Sequence, residues 1–190
     1  IYTRFTRSNV DYQDLTYEKK KLFMLTSMSS EINMLGHYLN RISEKNRHTR
    51  DFTLNSLTMA IVEVIANFPV YRTYVTRPGV NERDLRYIEH AVSRAKGRNP
   101  ALSATIFDFL ESVLLLRYPK DFSEDNKMEW LDFAMRFQQL TGPVMAKGIE
   151  DTAFYIFNRF ASLNEVGGNP ERFGTCLLYT SDAADEEDSV

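Results

Sequence analysis

Apolar residues recur at steps of three, four and seven positions through most of residues 11–142, and this spacing constrains the fold more than any other feature. It places apolar side chains on one face of each helix, so that the helices can pack against one another. One stretch, 69–75, is instead dense in aromatic and β-branched residues and is predicted to be extended. Strands and helices do not alternate along the sequence. The pattern therefore predicts a mainly α-helical body.

Capping and breaking residues divide this body into five predicted helices. They are one long helix from 11 to about 44, a second from its N-cap Asp51 to Pro69, a third from Asn81 to Gly97, a fourth that restarts at Asn99-Pro100, and a fifth from Ser123 to Gly142-Pro143. The run Lys19-Lys20-Lys21 interrupts the first helix, and we expect it on the solvated face.

The pattern changes after Pro143. The apolar run Val144-Met145-Ala146 leads into Lys147-Gly148-Ile149-Glu150-Asp151, and Asn164-Glu165 precedes a pair of glycines. A short apolar run that ends in charges and glycines is typical of a strand that delivers side chains to a site at its C-terminal end. A loop with solvated charges fits the same pattern equally well. We predict a strand near 143–149 and candidate site residues after it.

Composition excludes several functional classes. The net charge is −3, but the last fifteen residues hold five acids and no bases, so the rest carries 23 bases against 21 acids. This balance predicts no nucleic-acid partner. No apolar run approaches the roughly 18 residues of a membrane span, so no membrane partner is predicted. The lone cysteine, Cys176, cannot form a disulfide within the chain, which fits a reducing, cytoplasmic compartment.

No metal or cofactor is predicted. The three histidines, His37, His48 and His90, are not spaced as zinc ligands, and neither a GxGxxG nor a P-loop motif occurs. The chain opens on Ile1 without an initiator methionine, which suggests a piece of a longer protein.

Four motifs, in order, resemble those of the maltooligosyltrehalose synthase family of the α-amylase superfamily. They are YEKKKLFMLTSMSSEINMLGHYLNRI, RDFTLNSLTMAIVEVIANFPVYRTYV, PVMAKGIEDTAFY and NRFASLNEVGGNPERFG, and the resemblance covers roughly residues 9–174. Members of this family rearrange the reducing-end α-1,4 linkage of a maltodextrin into an α,α-1,1 linkage, which gives a trehalose terminus. The resemblance thus implies an enzyme with a maltooligosaccharide substrate.

The resemblance also implies a division of the chain. A complete (β/α)₈ barrel needs about 250 residues, so this chain would be part of one, with the remainder of the barrel as its partner. Residues 1–142 would form a helical insertion subdomain, and 143–175 one barrel strand and the substrate-site loop. Residues 176–190 depart from the family. Their acidic, low-complexity composition predicts a disordered or artefactual tail, similar to translated adapter sequence.

Site residues follow from the same resemblance. Lys147, Glu150 and Asp151 would line the closed end of the pocket and hydrogen-bond the terminal glucose units. Tyr155 would add a stacking face, whereas Phe154 and Phe157, at helical spacing, favour core packing.

Arg159 and Glu165 are second-tier site residues, and Arg159 could equally pair with a nearby acid. Asn164 could simply form the turn, and Arg72 favours a structural ion pair. The motifs that hold this family's catalytic carboxylates do not occur in the sequence. No catalytic residue is therefore assigned, and the chain is expected to be inactive alone.

Two other functions compete with this interpretation. A free-standing helical module could bind protein or nucleic acid through a basic patch formed by Arg41, Lys45, Arg47 and Arg50. An amylase that hydrolyses starch is a further alternative, which is disfavoured because the matching motifs are those of the mutase branch.

Overall fold

The computed structural model describes residues 10–77, 79–120, 122–159 and 161–170. Within these ranges the chain is mainly helical, which confirms the predicted helical class. The elements are α1 (Tyr12–Ser27), α2 (Ser29–Glu44), α3 (Leu54–Ala66), α4 (Glu82–Arg98), α5 (Ala104–Leu114), α6 (Glu124–Met145), a π-helical segment (Ala146–Ala153), α7 (Phe154–Ile156) and a 3₁₀ turn (Ala161–Leu163). The predicted acidic tail, 176–190, lies outside the described residues. No helix in the described ranges has the length and apolar character to cross a membrane.

Helix α3 occupies the centre of the body. It contacts α1, α2, α4, α5 and α6, and a helix that is apolar on all sides is stable only when it is surrounded in this way. Most of its residues are buried, namely Leu57, Ala60, Ile61, Val62, Glu63, Val64, Ile65 and Ala66. The core of the protein is therefore built around one helix, and the other five bury their apolar faces against it.

Two predicted helix starts are confirmed. Asn81 caps α4 by accepting a hydrogen bond from the Asp84 N–H at 2.8 Å, and Ser123 caps α6 through the Asn126 N–H at 3.3 Å. These side chains satisfy backbone donors that have no partner inside the helix. The local sequence was sufficient to predict these two helix starts, because each capping side chain lies three residues from the N–H group that it binds.

Other predicted boundaries are wrong. The second helix begins after Thr53, whose Oγ1 accepts from the Ser56 N–H at 3.2 Å, and not after Asp51. The fourth begins after Ser103 and not at Pro100, because residues 99–102 close a turn first. Helix α4 also runs through Gly97 and ends one residue later.

The predicted long helix over 11–44 is two helices. Met28 separates them, with φ −125° and ψ 25°, outside the helical region. Serines on both sides of Met28 are weak helix formers. The break changes the direction of the chain, so that α1 and α2 both pack against α3.

The expectation that Lys19-Lys20-Lys21 faces solvent is wrong for two of the three lysines. Lys20 is only 5% exposed, and its Nζ donates to the Phe68 carbonyl at 2.9 Å. Lys21 is partly buried and forms a 2.8 Å ion pair with the buried carboxylate of Glu63. Charge runs usually lie in solvent, but here α1 packs against both α3 and the π-helical segment, and Lys20 and Lys21 lie on its packed side.

The predicted strand near 143–149 is wrong in this structure. Helix α6 continues through Gly142 and Pro143 to Met145, and the π-helical segment follows directly. A strand leaves its backbone groups unpaired unless another strand lies beside it, whereas a helix satisfies them internally. The described residues offer no such neighbour, since their one strand-like pairing is the isolated bridge between Thr76 and Gly79. The division of the chain at residue 142 stays a prediction.

Close packing of α2 on α3 should depend on Gly36. A Cβ at this position would lie 2.1 Å from Thr58 Oγ1 and 3.2 Å from Thr58 Cβ. We expect Gly36→Ala to lower the free energy of unfolding by about 1–3 kcal/mol, because the added methyl group overpacks the contact with Thr58. Urea denaturation followed by circular dichroism measures this change. Gly97→Ala is the control, since nothing lies within 4 Å of its added Cβ, and it should stabilise α4 by up to about 1 kcal/mol. Equal stability of Gly36→Ala and the parent would contradict this packing.

Candidate functional site

The π-helical segment carries three of the six predicted site residues, namely Lys147, Glu150 and Asp151. The Phe154 N–H bonds to the Ile149 carbonyl five residues earlier, and Thr152 Oγ1 donates to the Lys147 carbonyl at 2.7 Å. Such wide turns are uncommon in proteins and frequent at functional sites. The wide turn therefore indicates a candidate functional site on structural grounds that do not depend on residue type.

Gly148 holds this segment against α1. A Cβ at Gly148 would lie 2.9 Å from both Cα and Cγ of Lys20, so the two elements meet at backbone distance. Only glycine permits so close an approach. The backbone that carries Glu150 and Asp151 is thereby fixed to a helix from the other end of the chain.

A cleft of about 470 Å³ opens beside this segment. It brings together four of the six predicted site residues, whereas Lys147 and Arg159 do not line it. Its lining is Glu150, Asp151, Phe154, Tyr155, Asn164, Glu165 and Val166. The cleft combines three carboxylates with an exposed aromatic ring, which are groups that can bind a polyhydroxylated ligand.

Glu150 is oriented by a residue that the sequence did not indicate. The Tyr71 hydroxyl donates to Glu150 Oε1, and the Gly167 N–H donates to the same oxygen at 3.4 Å. Tyr71 lies in the extended stretch after α3, 79 residues away in sequence. The only sequence signal for a role of Tyr71 was the aromatic character of that stretch, and it did not indicate that Glu150 would be the partner.

Arg72, the neighbour of Tyr71, was predicted to form an ion pair, but it has none among the described residues. Its guanidinium carbon lies 5.4 Å from the centre of the Tyr74 ring. A cation over an aromatic face is favourable without any carboxylate. The prediction of an ion pair is therefore wrong within the described part of the chain.

Lys147 and Asp151 pair with each other. They lie four residues apart with Nζ and Oδ2 at 2.5 Å, and each side chain is more than half exposed. The hydrogen bond to Asp151 and its negative charge raise the pKa of Lys147. Lys147 therefore does not line the cleft itself, but it contacts Asp151, which does line the cleft.

The aromatic residues divide into two groups. Tyr155 is 80% exposed at the cleft, whereas Phe154 and Phe157 are buried, as core packing predicted. Their ring centres lie 6.4 and 5.1 Å from the ring of Tyr12 on α1. Tyr12 is a further contact that the sequence did not indicate.

Asn164 fastens the loop to the end of α7. Its Nδ2 donates to the carbonyls of Phe154 at 2.8 Å and Phe157 at 2.5 Å, which satisfies acceptors at the end of the helix. Asn164 therefore does more than form a turn. Glu165 and Arg159 are both exposed, and both stay candidates of second rank.

Replacement of Gly148 should displace the candidate site. We expect Gly148→Ala to lower the free energy of unfolding by about 1–3 kcal/mol and to speed amide exchange over 146–153, because the Lys20 backbone cannot move aside. Gly142→Ala, whose added Cβ would lie 3.8 Å from the nearest atom, the Tyr71 carbonyl oxygen, is the control and should be neutral or stabilising. Unchanged exchange in Gly148→Ala would contradict the backbone contact.

Tyr71 should report on the charge of Glu150. Burial, the hydrogen bond to Glu150 and its negative charge raise the pKa of Tyr71 to about 12, against a small opposing effect of the Gly167 N–H. The unfolded chain loses this proton near pH 10, so the free energy of unfolding should fall as the pH rises from about 10 to 12. Glu150→Gln should lower the pKa of Tyr71 without restoring the ordinary value, because burial persists. Nuclear magnetic resonance of labelled tyrosines, assigned with Tyr71→Phe, measures this, and an unchanged pKa would exclude the contact.

Comparison with known proteins finds similarity to one kind of enzyme. No family model matches this chain. Two curated proteins from different strains of Mycobacterium tuberculosis, both named maltooligosyl trehalose synthase, are 61% identical over 41 residues, which is 22% of this chain and 5% of each relative. Solved structures of maltooligosyltrehalose synthase from Arthrobacter ramosus and of a mutant of it match 97% of this chain and 20% of theirs, with TM-scores of 0.70 and 0.71 and identities of 27% and 26%. The local identity and the shared fold support the resemblance of this chain to the maltooligosyltrehalose synthase family, as a piece that spans about 20% of the length of the solved relatives.

Proposed function

We propose that this chain is part of an enzyme that converts the reducing-end α-1,4 linkage of a maltooligosaccharide into an α,α-1,1 linkage by intramolecular transglucosylation. The observation that carries the proposal is the cleft in which Glu150, Asp151, Tyr155 and Glu165 meet, in a chain with the fold of maltooligosyltrehalose synthase. In this proposal the chain supplies substrate contacts, and the catalytic carboxylates lie in other parts of the enzyme.

Glu150 is the principal acceptor for a sugar hydroxyl. Tyr71 and Gly167 both donate to Oε1, and no described residue donates to Oε2. One oxygen of the carboxylate is thus held in place while the other is available to a ligand. Hydrogen bonds from hydroxyls to a carboxylate are short and strong, so a pre-oriented Glu150 would select the orientation of the terminal glucose.

The Lys147–Asp151 pair supplies a donor and an acceptor. Because both side chains are largely exposed, their mutual attraction contributes little to stability. Sugar hydroxyls can therefore replace part of this contact at small cost. The exposed ring of Tyr155 offers a face on which a sugar ring can stack. Arg159 is a second-tier candidate for a hydrogen-bond donor to the substrate.

Mutase chemistry also requires that water be kept from the glycosyl-enzyme intermediate while the released glucose turns. The described residues leave Tyr155 and Val166 largely exposed, at 80% and 82%. The remainder of the barrel is the partner that would close the cleft over these residues. The substrate contacts and the catalytic carboxylates would then come from different parts of one protein.

The alternative of a nucleic-acid or protein-binding helical module is less well supported. Two residues of its basic patch, Arg41 and Lys45, pair with Glu129 on α6 at 3.4 and 2.7 Å. This pairing removes part of the positive charge that such a partner would recognise.

The test is the reaction of the complete enzyme, with this chain joined to its flanking sequence, on maltopentaose. We expect reducing ends to disappear without release of glucose. Glu150→Gln should lower kcat/KM by about 10- to 100-fold, as the loss of a charged hydrogen bond of about 1.5–3 kcal/mol would, and Lys147→Ala by less. Glu31→Gln, an exposed carboxylate on α2, is the matched control and should leave the rate unchanged.

Two outcomes would refute the proposal. Release of glucose in step with the loss of linkages would indicate a hydrolase instead of a mutase. A Glu150→Gln enzyme with the parent's kcat/KM would remove Glu150 from the substrate site.

A further inference from the structure

A second cavity, of about 240 Å³, is lined by basic side chains and by no carboxylate among the described residues. Lys20 of α1 lines it together with His90, Arg94 and Arg98 of α4. It shares no lining residue with the candidate substrate cleft. The two sites nevertheless adjoin, because Ile149 lines the cavity and its neighbour Glu150 lines the cleft.

Lys20 is the buried cation of this cavity. Its Nζ donates to the Phe68 carbonyl at 2.9 Å, and no described carboxylate pairs with it. An ammonium group carries three N–H donors, so two have no described acceptor. Burial, with a smaller contribution from the positive charge of Arg94, lowers the pKa of Lys20 to about 7. Such a group gains from an anion brought next to it.

Arg94 adds a second cation without a carboxylate. Its Nη2 donates to Gln13 Oε1 at 2.8 Å, a neutral acceptor. Arg98 differs, because it pairs with Asp14 at 2.6 Å and lies 4.4 Å from the centre of the Tyr17 ring. The mutual repulsion of Lys20 and Arg94 is thus uncompensated in the described residues, while Arg98 is fixed at the side of the cavity.

We propose that this cavity binds a small phosphate oxyanion, with Lys20 and Arg94 as its principal ligands and His90 as a further donor. Guanidinium groups match the paired oxygens of phosphate, and a buried ammonium supplies a point charge. The volume lies below the roughly 300–1,000 Å³ of sites for larger ligands. Inorganic phosphate or the phosphoryl group of a small phosphomonoester fits this chemistry. The site is distinct from the proposed sugar cleft and does not depend on the proposed reaction.

The experiment is isothermal titration calorimetry on the 190-residue chain, with inorganic phosphate and glucose 6-phosphate as separate probes. The ionic strength is held constant throughout, and a pH of 6.5 keeps Lys20 largely protonated. We expect saturable binding, and a rise of the thermal midpoint with phosphate beyond that with chloride. Arg94→Gln should weaken binding at least about tenfold, as loss of a charged hydrogen bond does. Arg86→Gln is the matched control on the same helix, since Arg86 is exposed and donates to a backbone carbonyl, and it should bind as the parent does.

Each result has a defined meaning. Binding of phosphate without glucose 6-phosphate identifies the free ion as the occupant, and equal or tighter binding of glucose 6-phosphate identifies a phosphomonoester. Absence of saturable binding for both probes overturns the proposal, as does parent-like binding by Arg94→Gln. Lys20→Met gives a second test if Arg94→Gln does not fold, because an apolar side chain of similar length replaces the buried ammonium, and it too should abolish binding.

Discussion

The burial of residues 60–66 of α3 on all sides is the constraint on which the rest of the structure depends. Because this half of α3 has no exposed residue, other helices must surround it, and five of them contact α3. One charged residue, Glu63, lies within this helix at 3% exposure. Tyr17 and Lys21 of α1 donate to its two carboxylate oxygens at 2.7 and 2.8 Å. A buried carboxylate without such partners would be strongly destabilising, so Glu63 fixes the position of α1 on the core.

The candidate site follows from that position. With α1 fixed on α3, Lys20 lies where Gly148 can contact its backbone, and the π-helical segment is held against α1. Tyr71, in the chain that leaves α3, then reaches Glu150 from the other side. The substrate cleft and the cationic cavity border this one segment, so a change in its packing would alter both. Their geometry derives from the core, although neither lies within it.

The segment around 143–149 illustrates a balance between two local structures. Its apolar run, charges and glycines suit a strand, and the same residues form a continuous helix in this structure. Propensity differences of this kind are small, and tertiary surroundings override them. The decisive factor is the source of backbone hydrogen bonds. With no neighbouring strand among the described residues, the helical form is the one that satisfies its own donors and acceptors.

The sequence by itself determined the features that depend on near neighbours. Helical spacing gave the class, and Asn81 and Ser123 gave two helix starts. Motif resemblance also indicated the relatives that the comparisons found. Each of these features depends on residues that are close in sequence or on a local pattern of residue types.

Only the tertiary structure decided the features that join distant residues. The burial of Lys20, the contact of Tyr71 with Glu150 and the approach of Gly148 to α1 each link positions tens of residues apart or more. The helical state of 143–149 likewise depends on what packs beside it. Periodicity reports which face of a helix is apolar but not which helix covers it, and for that reason these contacts could not be predicted from the sequence.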